Sequence, residues 1–579
     1  MRRLTPAVLL VLLLSTSLGF AGTLSGKVFI DASGDGVWQE GEEPVAGALV
    51  SDGISIAASA QDGTYSLVTP DGDQVVFVVN PAGTWASQGF HRNVTIGPAT
   101  ADFPLIKQEQ RVPLYFVQGT DSHIRPDVAD KMARYVAAVN SLPLPIAFVV
   151  HTGDLVVDTC AQDIEGSRRL FKAYHDMVAD LEPDLFNLPG NHEQVAVHRK
   201  DIPPTTKGWG KGLYRECVGP MYYAFNYGSV HFIAMDGSTI GDGKVIGRVP
   251  DECFDWLSGY LTHLDPSEPL VLFVHQPFAT MGARKTEIEK LLAGRKVLLA
   301  LSGHGHGIAR WSFAGGTEIM GGATSYAWHG SGFPPNAMGY HVIKVTREGF
   351  ESAFADWAEP YSLTLRTPTR QEPLSGTVPV QAMLFDPAGE VTSVDVSIGD
   401  SRTKVTQFGT EGLYRTLEAG VDVTGTVDGV HDLCFTIRGK GEPFIERQPV
   451  VVINGKQEEF SPSGPAVLKM RGYGIAAANR ILINGEELAQ MKPDTPDRQP
   501  FEFEVPADRL RRLNFIEVES ARDPGGVWDS FVLDIVELAY DDQAHIDPRM
   551  YRYASRSVTP KNGQPGKRLL YIDLTQPVD

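Results

Sequence analysis

Cysteine is scarce. Only Cys160, Cys217, Cys253 and Cys434 occur in 579 residues, so at most two disulfides can form, in any of three full pairings. Cys253 lies in an apolar-periodic stretch and reads as buried packing; Cys160 and Cys217 fall in loop-like sequence and make the best candidate pair. Basic residues are also in deficit, 51 Lys+Arg against 71 Asp+Glu for a formal charge of −20. This excludes nucleic-acid binding by a basic surface. With 42% apolar and 21% charged residues, the chain lacks the composition of a disordered protein. No segment after the N-terminus is apolar enough to span a membrane.

What is present begins with a leader. Arg2 and Arg3 precede an apolar run from Ala7 to Leu14 and small residues at Ser15, Ser17, Gly19 and Ala21. That pattern predicts a secretory signal peptide over residues 1–21 and a secreted or periplasmic product, with no membrane span after cleavage.

The remaining length suffices for several cores. Residues 22–110 carry short apolar runs, such as Gln74 to Val79, between Gly, Asp and Pro, and predict a small antiparallel β-sandwich. Within it, Asp31-Ala32-Ser33-Gly34-Asp35-Gly36 with Glu42 at the twelfth position places oxygens at alternate residues, a candidate calcium loop. From 111 to 358, apolar runs alternate with amphipathic stretches such as Val128–Val139 and Ser167–Leu181, the pattern of an α/β domain. Residues 359–455 predict an immunoglobulin-like β-sandwich and 456–579 a β-rich, jelly-roll-like domain. The fold class is thus multidomain, a central α/β unit flanked by all-β sandwich domains.

Five apolar runs in the central unit end in side chains able to bind metal. They lead to Asp121-Ser122-His123, to Gly153-Asp154, to Gly190-Asn191-His192-Glu193, to His275, and to Gly303-His304-Gly305-His306. Loops beyond the carboxyl ends of strands line one crevice in α/β sheets, so motifs remote in sequence can form a single site. Two imidazoles separated by one glycine are costly to bury unless something binds them. His151 and His231, within or beside strand runs, read as core residues; His329, in loop-like sequence, also reads first as structural, with contact to substrate the alternative.

In this order the motifs resemble the D-x-H, GD, GNH[D/E], H and GHxH set of the calcineurin-like metallophosphoesterase family, and the resemblance covers about 245 residues. It implies a metallophosphoesterase sandwich. One divalent ion would be held by Asp121, His123, Asp154 and His306, and a second by Asp154, Asn191, His275 and His304. His192 would protonate the leaving group or stabilise the transition state, with Glu193 orienting it. Two such ions can bind a phosphoryl oxygen and acidify a bridging water to hydroxide. With nitrogen and oxygen donors, manganese, iron, zinc and cobalt all fit. Leu155 to Asp158 follow the GD motif where the purple acid phosphatases have a tyrosine, and Gln194-Val195 replace the FD of the exported 5′-nucleotidases. Thr120-Asp121-Ser122-His123-Ile124 resembles the bacterial phosphodiesterase branch instead. The expected function is dinuclear hydrolysis of phosphate mono- or diesters. One rival is an extracellular binding protein with an inactive phosphoesterase domain; another places specificity in the flanking domains, for cell-envelope polymers or glycans.

Overall fold

The computed structural model describes residues 21–70, 72–96, 99–325, 338–369, 372–456, 459–493, 499–548, 556–560 and 564–577. All but the last residue of the expected leader, and His329, lie outside the described residues.

The central unit is built from two mixed sheets. In the first, β1 (Leu114–Gly119), β2 (Ile146–His151) and β3 (Leu185–Asn187) run parallel. The second contains β4 (Tyr223–Tyr227), β5 (Val230–Ala234), β6 (Pro269–Phe273), β7 (Lys296–Ser302), β8 (Ala309–Phe313) and β9 (Gly316–Met320), in the order β4-β5-β6-β7-β9-β8. The first sheet is completed by β10 (Gly339–Val345) and β11 (Phe350–Asp356), in the order β3-β2-β1-β10-β11, with β10 antiparallel to β1.

Alternation of side chains along β1 and β2 explains why both faces of this sheet are apolar. Phe116 and Phe148 stack at 4.8 Å and meet Phe232 of β5 edge-on across the sandwich. Their neighbours Val117 and Val149 face the other way, into a core shared with α1 (Ala129–Asn140) and α2 (Ile164–Val178). Met132, Tyr135, Val136 and Val139 recur at helical spacing on α1, which is what fixes the buried face. Asp163 caps α2, accepting from the Gly166 N–H at 2.6 Å. After the short α3 (Gly212–Cys217), α4 (Asp251–Leu261) buries Cys253, Trp256 and Leu257 in the core that also holds the second sheet, joined by Ile288 of α5 (Ala283–Leu291).

The N-terminal region departs from the antiparallel expectation. Its first strand, Ala21–Ile30, pairs antiparallel with Thr64–Pro70 but parallel with Phe103–Lys107. The last strand returns beside the first in the same direction, a relation strand periodicity does not encode. Phe77, Val79 and Trp85 join the central core. In the candidate calcium loop the carboxylates accept backbone hydrogen bonds: Asp31 from Gly34 and Gly36, Asp35 from Val37, and Glu42 from Ala32, Ser33 and Gln39.

Beyond the central unit, strands between Ser362 and Val452 form two four-stranded sheets whose buried residues, Val380 and Leu384 from one and Val396 and Phe435 from the other, share a core. Residues 466–573 form a five-stranded and a four-stranded sheet around Leu468, Phe531, Ile516 and Leu570. All four cysteines are free. Cys160 and Cys217, the expected pair, have other neighbours: the Asn191 carbonyl at 3.3 Å and Arg168 at 3.7 Å.

Candidate metal centre

Five loops at the carboxyl ends of β1, β2, β3, β6 and β7 meet between the two sheets. The first three leave one sheet and the last two leave the other, so the crevice is where both sheets release their chains on one side. Five of the motif residues have left-handed backbone: Asp121, His123, Asp154, His304 and His306 have φ of 52°, 41°, 50°, 72° and 54°. Each such conformation costs about 1–3 kcal/mol for a non-glycine residue. Their concentration at one crevice, with the side chains converging, marks a site whose geometry outweighs local preference.

Three overlapping groups have ligand atoms within 4.8 Å of one another: Asp121, His123 and His306; His123, Asp154 and His192; and Asp154, His275 and His304. Asp154 belongs to two of them. Asp121, His123, Asp154 and His275 are at most 3% exposed, and His306 8%, whereas His304 is exposed and Asn191 and His192 are half-buried.

The donors are poised for a cation. His123 Nε2 and His306 Nε2 face each other at 3.1 Å, close for two nitrogen lone pairs unless a proton or a metal lies between them. The His275 Nδ1–H donates to the Thr152 carbonyl at 2.7 Å, leaving Nε2 directed at Asp154 Oδ2 at 3.0 Å and Asn191 Oδ1 at 3.2 Å. Such a second-sphere hydrogen bond fixes the tautomer of a ligating histidine. The Asn191 Oδ1 is also approached by His304 Nδ1 at 2.9 Å and by the Gln276 amide at 2.9 Å. Burial opposes charge on His275, but the pull and hydrogen bond of Asp154, with Asp121 and the Thr152 carbonyl, carry it up to about 9. Buried carboxylates and imidazoles in this proportion call for positive charge among them, and the residues present fit divalent cations.

Close approach requires two glycines. A Cβ on Gly190 would lie 2.1 Å from Asp154 Oδ1, and one on Gly303 would lie 2.0 Å from Thr120 Oγ1 and 2.7 Å from Asp121 Oδ2.

Glu193 departs from the expected role. Its carboxylate does not orient the His192 ring; it accepts backbone N–H groups of Asp154 and Gly190 at 3.1 and 2.6 Å through Oε2, and of Val156 at 3.2 Å through Oε1. It thereby splices the loops after β2 and β3. Burial first, and the Asp154 charge second, push it up to about 8. The His192 ring is held by the Asp158 backbone N–H, which donates to Nδ1 at 2.8 Å. That contact leaves the proton of the neutral ring on Nε2, 3.8 Å from Asp154 Oδ2. A backbone donor leaves no side-chain signal, so no motif pointed to Asp158. Thr120, which donates to Asp121 Oδ2 at 2.8 Å, and Gln276 were readable only as neighbours of ligands. His151 lies between the Tyr135 and Tyr174 hydroxyls at 2.8 and 2.6 Å, and His231 pairs with Glu268 at 3.1 Å; both sit in the core.

The crevice gathers side chains able to hold metal, and residues 115–307 match the calcineurin-like phosphoesterase family. These residues form a calcineurin-like domain of the metal-dependent phosphoester hydrolase class. Over 196 residues the chain is 22% identical to the probable glycerophosphodiester phosphodiesterase GpdQ of Arcobacter nitrofigilis, covering 32% of this chain and 66% of that protein. Solved structures with a likeness include a putative 5′-nucleotidase from Staphylococcus aureus, with 14% identity, a TM-score of 0.26, and coverage of 41% of this chain and 53% of that one. Another is the phosphopantetheinyl hydrolase of Mycobacterium tuberculosis, with 14% identity, a TM-score of 0.23, and coverage of 36% and 90%. At these scores neither likeness carries an argument.

Proposed function

We propose that the chain is an exported hydrolase of phosphate esters, with phosphodiesters the preferred class, that works with two divalent cations sharing Asp154. The observation that carries this reading is the overlap of two ligand groups at that one carboxylate. The diester preference is drawn from the name of the Arcobacter relative and the Thr120 to Ile124 motif; export is drawn from the leader pattern over residues 1–21.

Asp121, His123 and His306 would hold one cation and Asn191, His275 and His304 the other, Asp154 contributing to both. Bound divalent cations supply Lewis acidity toward a phosphoryl oxygen and acidify water at neutral pH. The remaining work belongs to the protein. The Asp158 N–H keeps the His192 proton on Nε2, on the side that faces the cluster, where it can pass to the leaving-group oxygen as the ester bond breaks. Glu193 holds the loops bearing Asp154 and Asn191 in register. The Asp121 and Asp154 carboxylates only partly neutralise two dications, so the pocket favours an anionic ester. The flanking regions, 22–110, 359–455 and 456–579, are read as β-sandwich, immunoglobulin-like and jelly-roll-like appendages to the catalytic domain, 111–358.

The test is a panel of aryl phosphate mono- and diesters, assayed with the full chain after chelation and after re-addition of manganese, iron, zinc or cobalt. The reading expects hydrolysis that disappears on chelation and returns with a divalent ion, with diesters cleaved faster. No rate above background with any ion would refute it.

A further inference from the structure

A fourth group of metal-capable side chains lies outside the centre described above. Asp158, Cys160 and His198 present a carboxylate oxygen, a thiol sulfur and an imidazole nitrogen within 4.8 Å of one another. We propose that they form a separate cation site, for zinc or a similar borderline-soft divalent ion.

The site is built by two loops rather than gathered by chance at a surface. The segment after β2 and the segment from His192 to His198 are laced by backbone hydrogen bonds, from the Ala196 N–H to the Thr159 carbonyl and from the His198 N–H to the Cys160 carbonyl, both at 2.9 Å, and from the Thr159 N–H to the His192 carbonyl at 3.2 Å. Each segment contains a non-glycine residue in left-handed backbone, Asp158 at φ 31° and Ala196 at φ 59°. The lacing sets Cys160 and His198 side by side. Cys160 is 5% exposed while Asp158 and His198 are exposed, so a cation would enter from solvent and rest on sulfur beneath it.

The donor chemistry differs from that of the Asp154 cluster. That cluster has only nitrogen and oxygen donors, whereas this one adds sulfur, which selects zinc and cobalt over magnesium, manganese and calcium. Three protein ligands leave the fourth tetrahedral position to water. On binding, the Cys160 S–H bond breaks, the proton leaves to solvent, and a sulfur–cation bond replaces it. The thiolate and the Asp158 carboxylate then balance the dication. The site also abuts the catalytic machinery, because the N–H that holds His192 Nδ1 belongs to Asp158. A cation there would fasten the segment that positions His192.

Cobalt(II) alone, titrated into the chelator-stripped full chain, tests the assignment. A thiolate bound to cobalt gives a near-ultraviolet charge-transfer band, and the nitrogen and oxygen donors of the Asp154 cluster cannot, so the readout is independent of how many cations that cluster takes. The wild type is expected to show the band, rising to a plateau whose intensity corresponds to one thiolate-bound cobalt per chain. Cys160→Ser is expected to lose it, and the exposed change His198→Ala to weaken cobalt binding at the band at least tenfold. A wild type without the band, a band that survives in Cys160→Ser, or unaltered affinity in His198→Ala would each overturn the assignment; the last does so even if Cys160→Ser fails to fold.

Discussion

Replacing Gly190 by alanine isolates the geometry on which the metal centre depends. Gly190 does not have a left-handed backbone, so the added methyl brings no conformational strain of its own; its effect is contact alone. That methyl would lie 2.1 Å from Asp154 Oδ1 and 2.5 Å from the Asp154 nitrogen, where ordinary contact begins at 3.4 Å. The carboxylate must therefore retreat by about 1.3 Å (3.4 − 2.1) or the loop after β3 must move by as much. Metal ligation tolerates about 0.2 Å. Since Asp154 would serve both cations, the expected result is a fall in metal affinity of about 100-fold or more, the upper end of what displacement of supporting groups produces, with a parallel fall in turnover. Isothermal titration of the stripped protein with manganese or zinc, alongside diesterase assays, measures both. Gly349→Ala is the matched control, because a Cβ there meets nothing within 4 Å. Metal affinity and turnover in Gly190→Ala equal to those of the control would refute the placement of Asp154 at the heart of the site.

Three further outcomes are expected. His192→Ala should retain its metal while kcat on poorly activated esters falls about 10²- to 10⁴-fold, the range for a lost general acid; a matching loss of metal would make His192 a ligand instead. His341, with neither ring nitrogen hydrogen-bonded, is held by burial, and secondarily by Arg310, down to about 3. The unfolded chain then binds a proton that the folded chain refuses between about pH 6.5 and 3, so the stability this group allows is complete above pH 6.5 and declines as pH falls. Between pH 7.5 and 5 the loss is about 2 kcal/mol, and urea unfolding of His341→Phe should show a pH dependence smaller by that amount; equal slopes would place a compensating partner on the ring. If the Asp31–Glu42 loop takes calcium, the metal raises the Tm of the wild type but not of Asp35→Asn; an unchanged wild-type Tm leaves the loop as a hydrogen-bonded turn.

The central fold and the convergence of the motif residues were largely legible because each motif follows a strand, such as Ile146 to Val150, that reads as a continuous apolar run. Helix limits shifted by a few residues, as for Ala129–Asn140, since apolar spacing fixes a face more sharply than an end. The parallel pairing of Val28 with Phe103 was not legible, because strand direction depends on the path of the chain. Glu193 was misread for a related reason. Its partners are backbone N–H groups of the loop after β2 and of its own loop, and these have no signature in side-chain identity. The Asp158, Cys160 and His198 group was not legible because its members come from two loops brought together largely by main-chain hydrogen bonds, and because Cys160 and Cys217, both in loop-like sequence, suggested a disulfide.

Anomalous diffraction from crystals of the manganese- or zinc-loaded protein tests the central claim most directly. Two peaks about 3.5–4 Å apart, on either side of the Asp154 carboxylate, are the predicted result. A single peak at the Asp154 carboxylate, or none there, would contradict it.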